Sequence, residues 1–71
     1  MTSDGLQVLV IDDEVQIRRF LRISLEAHGY HLHEAANGAE GILKTAQLRP
    51  DVIILDMGLP DLDGLDVLRR I

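Results

Sequence analysis

The apolar run at positions 52–55, Val-Ile-Ile-Leu, limits the possible folds of this chain more than any other stretch. A strand can be apolar at consecutive positions where helices cover both of its faces, so the run predicts a strand buried on both faces of a parallel α/β sheet. Asp56 follows it directly. Because ligands of such sheets bind just beyond the carboxyl ends of the strands, Asp56 is the first candidate for a functional residue.

A second apolar run, residues 6–11, ends on the acidic triplet Asp12-Asp13-Glu14. If the two predicted strands pair in parallel, their carboxyl ends meet at one edge of the sheet. Three or four carboxylates would then lie together at that edge. This convergence is the strongest functional signal in the sequence.

The segment between these strands predicts a helix and a further strand. Val15 to about His28 has apolar residues at helical spacing, and Gly29 is placed to end the helix in a left-handed cap. The expected inward face comprises Ile17, Phe20, Leu21, Ser24, Leu25 and His28. Residues 30–35 predict a strand, and their polar content suits an edge position.

The second helix is predicted from Ala39, with Asn37 as its cap, to Arg49, where Pro50 stops it; Gly41 is expected to weaken it. The inward residues expected of the third helix are Leu65, Leu68 and Ile71. The elements therefore alternate as β-α-β-α-β-α. Right-handed crossovers give the parallel strand order 2-1-3, an α/β sheet in which the apolar third strand has an open edge.

Length and charge exclude several classes of protein. The 71 residues allow one small domain. The net charge of -5 argues against binding of nucleic acid or an anionic membrane by this segment, and a cation is the better-matched partner. No apolar run reaches the ~18 residues of a membrane span, and residues 1–5 lack the basic start of a signal peptide, so we expect a cytoplasmic protein.

Two motifs of the chain resemble those of one known family. The run at 11–14, Ile-Asp-Asp-Glu, with Ile-Arg-Arg-Phe-Leu at 17–21, and the run at 53–64, Ile-Ile-Leu-Asp-Met-Gly-Leu-Pro-Asp-Leu-Asp-Gly, resemble the receiver domain of two-component response regulators. Within that family the chain is similar to the OmpR/PhoB-like group, which carries a winged-helix DNA-binding domain, and there to the potassium-responsive KdpE type. The resemblance implies the CheY-like form of the flavodoxin-like fold.

The resemblance also implies roles for individual residues. Asp56 would accept a phosphoryl group from a sensor histidine kinase, and Pro60 and Gly64 would shape the loop that follows it. Asp13 would bind magnesium directly and Asp12 through water. The implied Mg2+ ligands are Asp12, Asp13, Asp56 and the backbone carbonyl of Gly58.

The resemblance covers residues 1–71 as the amino-terminal portion of a single receiver domain, truncated before strands four and five and without a DNA-binding domain. The hydroxyl residue and the lysine that the family places after those strands would lie beyond Ile71. We therefore expect weak Mg2+ binding and poor or undetectable phosphorylation of this chain. The open edge of the third strand predicts a homodimer or a segment-swapped oligomer, and self-assembly alone is the alternative function.

The predicted carboxylate cluster of Asp12, Asp13 and Asp56, the acidic edge of the sheet, has a chemistry that agrees with this assignment. Clustered carboxylates repel one another until a divalent cation neutralises them, and Mg2+ is a hard ion that accepts carboxylates, a carbonyl and waters. A phosphoacceptor of this kind is not expected to be an enzyme. A hydrolase of the aspartyl-phosphate kind usually needs a second acid two residues after the nucleophile, and here that position is Gly58.

Four aspartates also have a structural interpretation. Asp12 or Asp13, taken singly, could be a helix cap, although the coincidence with Asp56 favours a metal site. Asp61 and Asp63 are interpreted as turn and cap residues rather than ligands.

The histidines and the arginines of the first helix have structural interpretations as well. His31 and His33 could clamp a transition metal, but solvated strand positions are the preferred interpretation. His28 suits the carboxyl end of a helix, where a positive charge is favourable. A solvated helix face, with kinase docking as the alternative, is predicted for Arg18, Arg19 and Arg22.

Overall fold

The computed structural model of the chain describes residues 5–71, so residues 1–4, on which the expectation of no signal peptide rests, lie outside the described residues. Strands and helices alternate as β1 (Gln7–Ile11), α1 (Val15–Glu26), β2 (His31–Ala35), α2 (Gly38–Leu48), β3 (Val52–Leu55) and α3 (Gly64–Arg70). The strands form one parallel sheet in the order β2-β1-β3. The predicted fold class and strand order are confirmed.

The central strand β1 has a core on each side because its alternate residues face opposite sides of the sheet. The core on the side of α2 and α3 consists of Leu9, Ile11, Ala35, Leu59 and Val67. On the side of α1, Val8, Val10 and Leu32 form the core, and Leu21, Leu25 and Tyr30 pack against it. All four residues 8–11 of β1 are buried, so the sheet is anchored on its middle strand.

The prediction that β3 is buried on both faces is wrong for one face. Ile53 and Leu55 pack, partly buried, against the core on the side of α2 and α3. Val52 and Ile54 face the opposite side and are 44% and 37% exposed. The α1 residues that reach the sheet pack on β1 and β2. Within residues 5–71, the α1 side of β3 is therefore left uncovered.

The inward face of α1 differs from the predicted one. Leu21 and Leu25 pack on the core as expected, whereas Phe20 is 65% exposed and Ile17 is exposed as well. The helix presents instead a polar flank to β2, where Arg18 and Arg22 both form ion pairs with Glu34. The prediction of a fully solvated arginine face is therefore wrong for these two arginines, and Arg19 is exposed as predicted.

The end of α1 confirms the predicted left-handed cap. Gly29 has φ +89°, a conformation that glycine adopts without a Cβ penalty. The Tyr30 N–H donates to the carbonyl of Leu25 at 3.2 Å, and the Gly29 N–H donates to the carbonyl of Glu26 at 3.1 Å, which together form a Schellman motif. His28 lies within this last turn, with Nδ1 2.8 Å from the Ser24 carbonyl oxygen.

Helix α2 begins as predicted, with the Asn37 side chain accepting a hydrogen bond from the Glu40 N–H at 2.8 Å. Gly41 packs directly on β1: a Cβ there would lie 2.6 Å from Cδ1 of Ile11. Close approach of α2 to the sheet therefore explains a residue that helix propensity alone would disfavour.

Helix α3 presents different residues to the core than predicted. Val67 is fully buried, whereas the three residues expected to face inward are exposed: Leu65, Leu68 and Ile71. The helix begins at Gly64, capped by Asp63, and the residues that it buries are Gly64 and Val67, three positions apart on one face. None of the helices within residues 5–71 has the length and apolar character needed to cross a lipid bilayer.

Candidate functional site

The aspartates of the acidic edge follow the carboxyl ends of two neighbouring strands, β1 and β3. Ile11 of β1 and Leu55 of β3 are register partners, so the residues that follow them, Asp12 and Asp56, leave the sheet side by side. Carboxylate oxygens of Asp12, Asp13 and Asp56 all lie within 4.8 Å of one another. Asp12 and Asp56 are half-buried, whereas Asp13 is exposed. The structure thus brings together the three aspartates that the sequence pattern singled out.

Backbone N–H groups orient two of these aspartates. The Glu14 N–H donates to Oδ1 of Asp12 at 2.9 Å, and the Gly58 N–H donates to Oδ1 of Asp56 at 2.9 Å. In each aspartate one oxygen is held by the residue two positions further on, and the other is available to a ligand. Asp12 therefore stabilises the turn before α1 and belongs to the acidic edge, but it is not the cap of that helix, because the N-cap is Glu14 and has no side-chain cap hydrogen bond.

The backbone of Asp12 and Asp56 extends the sheet by one further hydrogen bond on each side of β1. The Asp12 N–H donates to the carbonyl of Ala35 at 3.0 Å, and the Asp56 N–H donates to the carbonyl of Ile11 at 2.9 Å. Both aspartates are thus held at the end of the sheet by backbone hydrogen bonds. Three hard carboxylate oxygens placed in this way form a donor set that suits a hard cation.

The loop after Asp56 is attached to two helices. Asp61 accepts hydrogen bonds from the N–H groups of Gly38 at 2.7 Å and Ala39 at 2.9 Å, at the start of α2. The hydrogen bonds from Ala39 and Gly38 hold the pKa of the Asp61 carboxyl below its ordinary value. Asp63 accepts from the Leu65 N–H at 3.0 Å and caps α3. Both are cap residues, as predicted, but the amino terminus of α2 that Asp61 caps lies more than twenty residues earlier in the chain.

The other end of this loop packs on α3. A Cβ at Gly64 would lie 2.5 Å from Sδ and 2.8 Å from Cα of Met57, the residue after Asp56. Gly64 therefore lets α3 approach the backbone beside the acidic edge, in agreement with the loop-shaping role that the resemblance implies.

Three further polar residues occupy places that the sequence pattern did not reveal. The guanidinium of Arg18 donates to the backbone carbonyl of Asp12 at 2.6 Å, six residues away. Lys44, the chain's only lysine, donates to the backbone carbonyl of Glu34 rather than approaching Asp56. His33 Nε2 lies 2.6 Å from the side-chain oxygen of Gln7. The periodicity of α1 shows where Arg18 falls on the helix but not that it reaches the acidic edge.

A three-stranded parallel sheet with an aspartate triplet at its carboxyl edge is the arrangement that the resemblance to receiver domains implies. Residues 8–71 match the family described as the response regulator receiver domain, and the chain belongs to that family. It is 56% identical over 61 residues to the transcriptional regulatory protein KdpE of Mycobacterium tuberculosis (strain CDC 1551 / Oshkosh), a match that covers 86% of this chain and 27% of that protein. It is 50% identical over 62 residues to the KDP operon transcriptional regulatory protein KdpE of Escherichia coli (strain K12), covering 87% and 28%.

Solved structures agree with the family. The chemotaxis response regulator CheY4 of Vibrio cholerae superimposes with a TM-score of 0.89 and 34% sequence identity, over 92% of this chain and 54% of that one. The amino-terminal domain of a response regulator receiver protein from Methanoculleus marisnigri JR1 gives a TM-score of 0.88 and 32% identity, over 92% and 53%. The chain spans about half the length of these structures and less than a third of the curated relatives it matches.

Proposed function

We propose that this chain is a phosphoacceptor module of a two-component response regulator, in which Asp56 receives a phosphoryl group from a sensor histidine kinase. The convergence of Asp12, Asp13 and Asp56 within a chain of the receiver family carries this proposal. Similarity to two transcriptional regulatory proteins supports a DNA-binding transcription regulator as the whole protein. The family also supports a location in the cytoplasm.

The hydrogen bonding of Asp56 suits a nucleophile. Because the Gly58 N–H holds Oδ1, Oδ2 is the oxygen free to attack the phosphorus of the donor. A new oxygen–phosphorus bond forms to Asp56, and the bond between phosphorus and the donor histidine nitrogen breaks. The chain acts here as the acceptor of the group rather than as an enzyme. An aspartyl-phosphate hydrolase is disfavoured because Gly58 stands where its second acid would be needed.

The same edge has the properties of a Mg2+ site. Two ligand atoms on one octahedral Mg2+ lie at most about 4.2 Å apart, twice the bond length of about 2.1 Å. The oxygen separations of up to 4.8 Å therefore fit one ion bound directly by some aspartates and through water by another. We assign Asp12, Asp13, Asp56 and the carbonyl of Gly58 to this site. When bound, the ion offsets the charge of the carboxylates and of the incoming phosphoryl oxygens.

Phosphorylation of the 71-residue chain by a small acyl phosphate in the presence of Mg2+ tests the proposal. We expect intact-mass detection of one added phosphoryl group and none in Asp56→Asn. Asp66→Asn, which removes a half-buried carboxylate of α3 that pairs with Arg69 at 3.6 Å, is the matched control and should be labelled like the wild type. Labelling that persists in Asp56→Asn would refute the assignment of the phosphoacceptor.

The extent of labelling is expected to be low. The only lysine of the 71 residues, Lys44, is engaged at the Glu34 carbonyl, so these residues supply no lysine beside Asp56 of the kind that the family places near the phosphoacceptor. Without it, part of the electrostatic stabilisation of the transferred group is missing. Complete labelling of Asp56 would contradict this expectation of an impaired module while supporting the site itself.

Self-association is a second candidate function. We propose that β3 pairs or packs with a second copy of the chain. The observation that favours it is the exposure of Val52 and Ile54 on an edge strand, with the exposed Phe20 of α1 on the same side of the sheet. An uncovered apolar edge strand is a template for pairing with another chain.

A further inference from the structure

Arg18 connects α1 to the carboxyl end of β1 and to β2. One terminal nitrogen of its guanidinium donates to the Asp12 carbonyl at 2.6 Å, and Nε donates to Oε1 of Glu34 at 2.8 Å. Its side chain is only 14% exposed. A guanidinium has its donors in a rigid planar fork, so two acceptors bound at once fix its orientation.

Glu34 holds Arg18 in this place. Its second oxygen, Oε2, accepts from Nε of Arg22 at 2.7 Å, so both carboxylate oxygens are engaged by α1. Burial raises the pKa of the Glu34 carboxyl, but the hydrogen bonds and charges of Arg22 and Arg18 outweigh burial and hold that pKa below its ordinary value. The Glu34 carboxylate is therefore ionised at neutral pH, and it is held in place by two arginines from successive turns of α1.

Asp12 is consequently held at three points. Its N–H is bonded to Ala35, its Oδ1 to the Glu14 N–H, and its carbonyl to Arg18. The orientation of the Asp12 carbonyl fixes the peptide plane that leads into Asp13. Asp13 itself accepts no hydrogen bond from residues 5–71, so its place in the acidic edge depends on the backbone that precedes it.

We propose that Arg18 is a positioning residue for the acidic edge: by holding the Asp12 carbonyl it directs the carboxylate of Asp13 toward the cation site. This inference rests on the Mg2+ site of the proposed function. It assigns to the first helix a part in building that site, in addition to its packing on the sheet.

Charge and positioning predict opposite effects for loss of Arg18. A positive charge beside a cation site repels the ion, so charge alone predicts that Arg18→Gln binds Mg2+ as tightly as the wild type or more tightly. Loss of positioning predicts weaker binding. Arg19→Gln removes the same charge from the next residue, which is exposed and has no ion pair with residues 5–71, and is the matched control.

The experiment is a Mg2+ titration of the isotope-labelled 71-residue chain, followed through the amide NMR signals of residues 12–14 and 56–58. Arg18→Gln is expected to raise the Kd for Mg2+ roughly two- to ten-fold, the range that one hydrogen bond supplies. Arg19→Gln should leave the Kd unchanged or lower it. In the metal-free protein, exchange of the Glu14 amide hydrogen should become faster in Arg18→Gln only.

Each other outcome overturns the inference in a distinguishable way. A wild type without saturable Mg2+ binding refutes the metal site and the inference with it. A wild type that binds Mg2+, with Arg18→Gln binding equally well or both variants weakened alike, refutes the positioning role alone. If Arg18→Gln lacks a dispersed spectrum, Arg18→Lys, which keeps the charge without the planar fork, replaces it; failure of both to fold would assign Arg18 to fold stability instead.

Discussion

Asp61 accepts hydrogen bonds from the first two N–H groups of α2, although it belongs to the loop that follows Asp56. These N–H groups have no partner within the helix, and a carboxylate at a helix amino terminus is favoured by the helix dipole as well. One side chain thus stabilises α2 and holds the loop of the acidic edge. Because the hydrogen bonds are made to the ionised carboxylate, this contribution depends on pH.

Asp61→Asn is expected to lower the free energy of unfolding at pH 7 and to have a smaller effect in acid. The pKa of Asp61 is lower in the folded chain than its unfolded value of about 3.9, so its stabilisation is present above pH 4 and is lost as the pH falls through the folded pKa. Urea unfolding of both proteins between pH 7 and pH 2.5 measures this. A difference in stability that stays constant across that range would show that the ionised carboxylate is not responsible.

Helix α2 shows at the scale of an element how packing overrides propensity. A glycine in a helix interior costs about 1 kcal/mol relative to alanine, and Gly41 is such a glycine. The space for an alanine methyl group is nevertheless absent, because Ile11 lies against the glycine Cα. The short distance between α2 and the central strand thus depends on this residue.

Gly41→Ala should destabilise the chain by about 1 to 2 kcal/mol despite its better helix propensity, because overpacking of a core costs more than the propensity gained. Chemical denaturation measures the change. Ile11→Val, which removes the Cδ1 atom that lies 2.6 Å from the added Cβ, is the matched partner. The loss of stability in the double variant should be smaller than the sum of the losses in the two single variants. Strict additivity would mean that the two residues do not compete for the same space.

At the scale of the whole molecule, one side of β3 is an exposed apolar surface on which we propose that two copies of the chain associate. Val52 and Ile54 are exposed beside an edge that, within residues 5–71, pairs with no further strand. The net charge of -5 opposes close approach of two copies, whereas burial of the apolar edge favours it. Self-association should therefore strengthen with added salt, which screens the charge.

Ile54→Lys is expected to weaken self-association at least about ten-fold, because each copy would bury a charge at the contact. Leu43→Lys introduces the same charge at an exposed leucine of α2, on the other side of the sheet, and should leave association unchanged. Sedimentation equilibrium over a range of concentrations measures both. A wild type that stays monomeric at high concentration, or equal loss in the two variants, would rule out assembly through β3.

The order of elements, the parallel sheet and the acidic edge could all be predicted from the sequence. Each depends on patterns that are local in the chain: apolar runs, helical spacing, and caps such as Asn37 and Gly29. The rule that parallel strands share a carboxyl edge then places Asp12 and Asp56 together without knowledge of any side-chain contact. The resemblance of the two acidic motifs to receiver domains also rests on short stretches of sequence, and the family match over residues 8–71 confirms it.

The rotation of each helix about its own axis and the partners of individual side chains were decided only by the tertiary structure. Phe20 lies outside the core because α1 turns Arg18 and Arg22 toward Glu34. Leu65 lies outside it because α3 buries Val67 instead. The hydrogen bond from Arg18 to Asp12 and those from α2 to Asp61 join elements whose relative positions depend on packing of the whole sheet. Local patterns in a sequence specify which residues can face inward, but distant contacts determine which of them do.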